Sequence, residues 1–85
     1  MYLNIIASSQ FYKVVIIYSI LIQWSEDDRV YVASLPEWGK YAQTHGETYE
    51  EALENAKEVL EDLIYAYNQT GKPLPKPQIT IVESL

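Results

Sequence analysis

The chain has 85 residues and no cysteine, and its twelve acidic and six basic side chains leave a net charge of −6. A chain of this length holds one domain, residues 1–85, and the absence of cysteine excludes disulfides, zinc–thiolate sites and thiol catalysis and favours a cytoplasmic protein. The six cations are scattered singly along the chain, which argues against nucleic-acid binding, and the negative charge favours a basic protein partner.

The N-terminal part of the chain contains an apolar stretch, residues 11–24, that is too short and too polar to cross a membrane. Lys13, Ser19 and Gln23 interrupt it, whereas a spanning helix needs about 20 mostly apolar residues. The start of the chain has no basic segment, so we expect neither a signal peptide nor a membrane anchor. The first dozen residues are either an extra strand segment or a loose arm.

The first predicted elements are two strands joined by a polar turn. Residues 14–24 are rich in β-branched and aromatic side chains and are too short for a typical helix, which favours a strand. Residues 25–28 are turn formers, and residues 29–35 form the predicted returning strand. Pro36 ends this strand because proline has no N–H group to donate to a sheet.

The hairpin register follows from the alternation of apolar residues. If Trp24 pairs with Arg29, Ile22 lies opposite Tyr31, and the apolar side chains of both strands share one face. A short third strand is predicted at residues 41–45.

The helix is the most clearly marked element and is predicted over residues 48–70. Gly46 provides a flexible corner before it, and Thr48 with Glu51 forms a capping box at its start. Gly71 is the predicted left-handed cap at its end. The apolar residues between these caps follow the spacing of one helical stripe: Tyr49, Ala52, Leu53, Ala56, Val59, Leu60, Leu63, Ile64 and Tyr67.

A proline-rich tail, residues 72–77, leads to a last alternating run, residues 78–82, which predicts an edge strand. The predicted fold is therefore α+β, with a small, largely antiparallel sheet, one long helix packed across one face, and the order β-β-β-α-β. Both faces of the first strand carry apolar groups, so we expect a second copy to cover the other face. Residues assigned to this self-association are Trp24, Tyr31, Ile79 and Ile81.

Four blocks of the sequence resemble the HicB-like antitoxin family. They are YSILIQWSEDD (residues 18–28), YVASLPE (31–37), THGETYEEALENA (44–56) and GKPLPKP (71–77). The resemblance covers residues 18–77 and implies a partial ribonuclease-H-like fold without that fold's catalytic carboxylates. It also implies a partner of the HicA type, a small basic toxin that cleaves messenger RNA.

The sequence departs from complete family members at its C-terminal end. Those proteins often carry a DNA-binding segment after this domain, whereas eight residues follow Pro77 here. We therefore do not expect repression of an operon by direct DNA binding, which agrees with the acidic charge.

Two acidic groups and one aromatic side chain are candidates for partner contact. The turn residues Glu26, Asp27 and Asp28 form one group; a solvated turn is the alternative. The second group lies along one face of the predicted helix, where like charges four residues apart repel each other unless a basic partner meets them; a solvated face is again the alternative. This ridge consists of Glu50, Glu54, Glu58 and Glu61. Trp38, in a predicted loop, is either an exposed anchor or part of a packed cluster.

No catalytic, metal-binding or cofactor-binding constellation is predicted. His45 is the single histidine, and no nucleophile or ligand set accompanies it at a suitable spacing. The sequence therefore predicts a non-enzymatic antitoxin that masks a basic ribonuclease. The alternatives are a homo-oligomeric regulatory or scaffold protein without a toxin and, more remotely, a degenerate hydrolase.

Overall fold

The computed structural model describes residues 17–79, which form a three-stranded antiparallel sheet and one long helix. The strands are β1 (Leu21–Ser25), β2 (Val30–Ser34) and β3 (Gln43–Gly46), and they lie in the order β1-β2-β3. A short 3-10 turn, Pro36–Trp38, follows β2, and the helix α1 spans Tyr49–Thr70. The predicted α+β class is confirmed.

The strands are shorter than predicted, and the hairpin register is shifted by two residues. Trp24 pairs with Tyr31 and Ile22 with Ala33, so the proposed pairing of Trp24 with Arg29 is wrong. The turn occupies residues 26–29, with Arg29 in the left-handed region at φ 57° and its N–H donating to the carbonyl of Ser25. An even shift preserves the faces of the strands, since side chains alternate with a period of two.

The core lies between α1 and one face of the sheet. Ala33 and Leu35 from the sheet side meet Ala52, Ala56, Leu60 and Ile64 from the helix, and all six are fully or almost fully buried. Burying a leucine or isoleucine side chain contributes about 1.5–3 kcal/mol to folding. The predicted apolar stripe is therefore the surface that packs α1 onto the sheet.

The start of α1 sits tightly against β3. Thr48 is the N-cap, and its hydroxyl oxygen accepts a hydrogen bond from the Glu51 N–H at 3.0 Å. The Glu51 carboxylate accepts from the backbone N–H of Glu47, whereas a complete capping box would have it accept from the N–H of Thr48. Gly46 is required for this contact, because a Cβ at this position would lie 2.4 Å from the Ala52 nitrogen. Gly46 is thus a point of close backbone approach, and the prediction of a flexible corner missed this role.

The end of α1 is as predicted. Gly71 adopts the left-handed conformation at φ 75°, and its N–H bonds to the carbonyl of Tyr67. The tail beyond it, residues 72–79, contains no strand. Most of the predicted last strand, including Ile81, lies outside the described residues, and Ile79 is exposed.

The tail returns to the beginning of the described chain. The Tyr18 hydroxyl donates to the carbonyl of Pro75, and the Glu37 carboxylate accepts from the backbone N–H groups of Ser19, at 3.1 Å, and Gln78, at 2.9 Å. Glu37 also accepts from the Ser19 hydroxyl. One carboxylate therefore joins the segment before β1, the turn after β2 and the C-terminal tail.

Candidate protein-binding surfaces

The acidic hairpin turn projects into solvent at one end of the sheet. Glu26, Asp27 and Asp28 are all exposed. Glu26 is partly engaged, since it accepts from the indole nitrogen of Trp24 at 2.9 Å and from the Arg29 guanidinium at 3.2 Å. The turn thus exposes the carboxylates of Asp27 and Asp28 to solvent.

The acidic ridge lies on the exposed face of α1, opposite the buried stripe. Glu50, Glu54, Glu58 and Glu61 are all exposed, as predicted. Lys57 lies 3.8 Å from Glu54 and offsets part of the repulsion between like charges. Whether this ridge contacts a partner stays a prediction.

A concave acidic surface lies beside β2 and β3, on the part of the sheet next to the hairpin turn and the start of α1. Two adjoining depressions, of about 400 and 360 Å³, share Val30 and His45. Asp28 lines the first depression, and Glu47 and Glu51 line the second. Because Gly46 pairs with Tyr31, the turn and the start of α1 lie at the same end of the sheet. We call this concave surface the β3 groove; its other lining residues are Val32, Gln43, Thr44, Gly46 and Asn55.

The β3 groove brings together acids that are far apart in the sequence. Asp28 was predicted as a contact residue, whereas Glu51 was predicted as part of the capping box. The capping pattern that marked Glu51 explains its place at the helix N-terminus, where negative charge is favourable. None of the four ridge residues lines the groove.

His45 lies on the side of the sheet that α1 leaves open, and its side chain is exposed. Its backbone carbonyl accepts a hydrogen bond from the Asn55 amide at 2.8 Å, which ties β3 to the helix. Within residues 17–79, no group of three or more histidine, aspartate or glutamate side chains is arranged to hold a metal ion. His45 therefore contributes an exposed polar side chain to the groove, and its backbone carbonyl binds the Asn55 side chain of the helix.

The opposite edge of the sheet, β1, has a different character. The helix packs mainly on β3 and β2 and contacts β1 least. Leu21 and Trp24 are nearly half exposed, at 48% and 46%. We call this strand edge the β1 edge. Whether Trp24 contacts a second copy stays a prediction.

An aromatic row covers the helix-facing side of the hairpin. The rings of Trp24 and Tyr31 are 5.1 Å apart between centroids, and Tyr31 and Tyr49 are 5.5 Å apart, both edge to face. Tyr31 is half-buried between its two neighbours. Tyr49 is 54% exposed and adds to this surface a residue that sequence reasoning had assigned to the helix stripe.

Trp38 lies at the other end of β2 and is not exposed. Its ring packs 5.1 Å from both Tyr18 and Tyr67, between the start of the described chain and the end of α1. The prediction of an exposed anchor is therefore wrong, and the packed-cluster alternative describes its surroundings.

Glu37 is the residue with the clearest electrostatic signature, and the sequence did not mark it. Burial works to raise the pKa of its carboxyl group, but hydrogen bonds from Gln78 and Ser19 outweigh this effect and lower the pKa. Burial and the nearby Glu37 charge raise the pKa of Tyr18. The lowered pKa of Glu37 reflects a structural role. The hydrogen bonds that lower it hold the segment before β1 and the C-terminal tail against the turn after β2.

Comparisons with family models, with curated proteins and with solved structures found no match to this chain. Among the described residues, no helix is long and apolar enough to cross a membrane.

Proposed function

We propose that this chain is an antitoxin-like protein that neutralises a small basic ribonuclease of the HicA type by covering its surface. The observation that carries the proposal is the β3 groove, in which Asp28, Glu47 and Glu51 flank one concave surface. This arrangement favours a positively charged partner in two ways. The negative potential raises the association rate, and the fixed carboxylates orient the partner in the complex.

The proposed action is stoichiometric and needs no chemistry of its own. Toxin inhibition by masking requires a rigid, complementary surface, and the groove lies on strands that α1 holds in place through Gly46 and the Asn55–His45 bond. The resemblance of residues 18–77 to HicB-like antitoxins supports the same function. A cytoplasmic location is part of the proposal, since messenger RNA is the toxin's substrate.

The partial ribonuclease-H-like architecture, with the order β-β-β-α-β, is also a proposal. Its support is the path of the tail, because Ser19 and Gln78 share the Glu37 carboxylate. Gln78 therefore arrives beside the segment that enters β1, where a further strand at residues 78–82 would join the sheet.

The test is inhibition of a small basic ribonuclease encoded beside this chain. Purified protein should abolish RNA cleavage at an equimolar ratio, since one copy covers one active site. Binding without inhibition would contradict the masking mechanism, and the absence of any binding would contradict the proposed function.

The ridge is tested by the association rate of this chain with the same ribonuclease. Replacing Glu54, Glu58 and Glu61 by glutamine should slow association at low salt, because steering depends on long-range charge. Unchanged association kinetics would show that the ridge is a solvated face.

A second candidate, a homo-oligomeric regulatory or scaffold protein without a toxin, is favoured by the β1 edge. Exposed Leu21 and Trp24 on a strand that the helix scarcely covers form the kind of surface that pairs with another copy. The two candidates differ in what lies next to the gene: a basic reading frame with one glycine-flanked histidine supports the antitoxin.

A further inference from the structure

We propose that the partner docks by adding an extended, basic segment to the outer edge of β3, as an extra strand of the sheet. This inference rests on the proposed function and deepens it, since it names the part of the molecule that the partner uses and the form that the partner takes there.

Among residues 17–79, no strand pairs with the outer edge of β3, which presents backbone groups that this sheet does not use. The Leu35 N–H donates to the Ala42 carbonyl at 2.9 Å, so these two residues form a hydrogen-bonded pair of the β2–β3 ladder. Bonded and non-bonded pairs alternate in an antiparallel ladder. Gln43 and His45, which pair with Ser34 and Val32, therefore point their N–H and carbonyl groups away from β2.

The Asn55 side chain confirms this orientation independently. It reaches the His45 carbonyl at 2.8 Å from the helix, which requires that carbonyl to point out of the sheet. One of the four outward groups is thus occupied. The Gln43 N–H, the Gln43 carbonyl and the His45 N–H remain for an added strand, which is the way that exposed sheet edges bind extended peptides.

The acidic side chains near this edge favour a basic partner segment. Because Gly46 pairs with Tyr31, the hairpin turn and the start of α1 lie at the same end of the sheet, and an extended segment beside β3 would meet Asp28, Glu47 and Glu51 at one of its ends. Since alternate side chains of a strand face opposite sides, a segment that alternates Lys or Arg with β-branched residues places its cations near these carboxylates. Its apolar residues then lie beside Val32 on the open face.

A second copy of this chain is a poorer occupant of the same edge. Each copy carries a net charge of −6, so pairing two β3 edges meets repulsion without the exposed apolar side chains that β1 offers to offset it. The edge is therefore suited to a partner of opposite charge, and self-association is left to β1.

The first experiment uses a short capped peptide of alternating lysine and valine, with a peptide of alternating glutamate and valine as its control. The basic peptide should shift the amide NMR signals of Gln43 and His45 and slow their hydrogen exchange. The acidic peptide should do neither. Shifts confined to the α1 ridge, or equal effects of both peptides, would overturn the proposal.

A matched pair of variants separates the backbone from the side chain at Gln43. Gln43→Pro removes an N–H group that the β2–β3 ladder does not use, so the edge is blocked while the sheet is kept. It should weaken peptide binding about tenfold, the effect of one lost hydrogen bond with its steric block. Gln43→Ala keeps the N–H and should bind as the wild type does; equal affinities of the two variants would exclude strand addition.

A second pair separates local from overall charge and does not depend on the folding of the proline variant. Asp28→Asn with Glu47→Gln removes two charges from the groove, and Glu58→Gln with Glu61→Gln removes two from the ridge. At about 0.15 M salt, where charges farther than about 8 Å are screened, the groove pair should weaken binding about three- to tenfold. The ridge pair should leave it unchanged, and equal losses would contradict docking at β3.

The same variants distinguish failure of this inference from failure of the proposed function. If the neighbouring ribonuclease is inhibited equally by the wild type and by Gln43→Pro, the antitoxin function stands and the docking site is wrong. If the wild type inhibits no basic ribonuclease yet binds the basic peptide at β3, the edge is a peptide site with another purpose.

Discussion

The two edges of the sheet differ in how they are held and in what they offer. β3 is fastened to α1 by the close approach at Gly46 and by Asn55, and acidic residues line its groove. β1 contacts α1 least and exposes Leu21 and Trp24. The sheet thus has one edge that the helix holds and acidic residues line, and one edge that the helix covers least and that exposes apolar side chains.

The largest expected effect comes from breaking the fastening of β3. Gly46→Ala places a methyl group 2.4 Å from the Ala52 nitrogen, so the start of α1 must move away from the strand. We expect the free energy of unfolding to fall by about 2–3 kcal/mol, as overpacking does. Chemical denaturation followed by circular dichroism measures this.

The control is Gly39→Ala, where open space surrounds the new methyl group but φ is 106°. It should cost about 1–3 kcal/mol through backbone strain, because φ 106° with ψ 166° is a conformation that suits glycine almost alone. Gly46 has no positive φ, so this strain does not act there. Hydrogen exchange in β3 and at the start of α1 should quicken for Gly46→Ala and not for Gly39→Ala; equal changes would contradict the close contact at Gly46.

The next largest effect is expected at Glu37, whose hydrogen bonds join the segment before β1 to the C-terminal tail. Glu37→Gln weakens the bonds to Ser19 and Gln78 and should lower stability by about 1–2 kcal/mol at neutral pH. The pKa of Glu37 is lowered in the folded protein. Its contribution is therefore complete above the unfolded-state pKa and is lost as the pH falls through the folded-state pKa.

Denaturation curves from about pH 7 down to pH 3 should show this loss in the wild type. The Glu37→Gln variant should show a smaller loss over the same window. Glu58→Gln, on the exposed helix face, is the control with the same change in charge. If it flattens the pH dependence equally, overall charge explains the effect and the hydrogen bonds of Glu37 do not.

The third prediction tests whether β1 is the self-associating edge. Leu21→Lys places a cation on the exposed side of β1 and should raise the dissociation constant of a dimer about tenfold, since charge on an edge strand opposes pairing. Gln43→Lys places the same charge on β3 and should leave the dimer unchanged. Sedimentation velocity measures both, and a wild type that stays monomeric at high micromolar concentration would refute self-association.

The smallest effect is expected for Asn55→Ala, which removes the bond to the His45 carbonyl. Stability should fall by about 0.5–1 kcal/mol, and hydrogen exchange in β3 should quicken while that in β1 does not. Asn68→Ala, at an exposed position near the end of α1, is the control. Equal changes in both strands would show that the sheet responds as one unit.

Local patterns predicted the helix and the existence of three strands. The caps at Thr48 and Gly71 and the apolar stripe between them depend on residues within one or two turns of each other, so they can be read without knowing the fold. The register of the hairpin was harder to predict, because a four-residue loop fits both the predicted pairing of Trp24 with Arg29 and the observed pairing of Trp24 with Tyr31. The left-handed conformation of Arg29 makes it part of the turn and so selects the observed register.

The candidate site was predictable in its charges but not in its assembly. Asp28 was recognised as an acidic contact, whereas its convergence with Glu47 and Glu51 depends on how β3 and α1 pack beside β2. For Trp38, the sequence allowed both an exposed anchor and a packed cluster, because its neighbours favour a loop. Its contacts with Tyr18 and Tyr67 come from segments 20 and 29 residues away in the sequence.

The sequence by itself determined an acidic α+β domain with a capped helix, alternating strands and carboxylates at the turn and on the helix. The tertiary structure decided which backbones approach each other and which acids share a surface. Gly46 against Ala52, and Glu37 between Ser19 and Gln78, are contacts that no local pattern encodes. They arise because burying the helix stripe on the sheet brings distant segments together, and hydrogen-bonding groups at those junctions must then find partners.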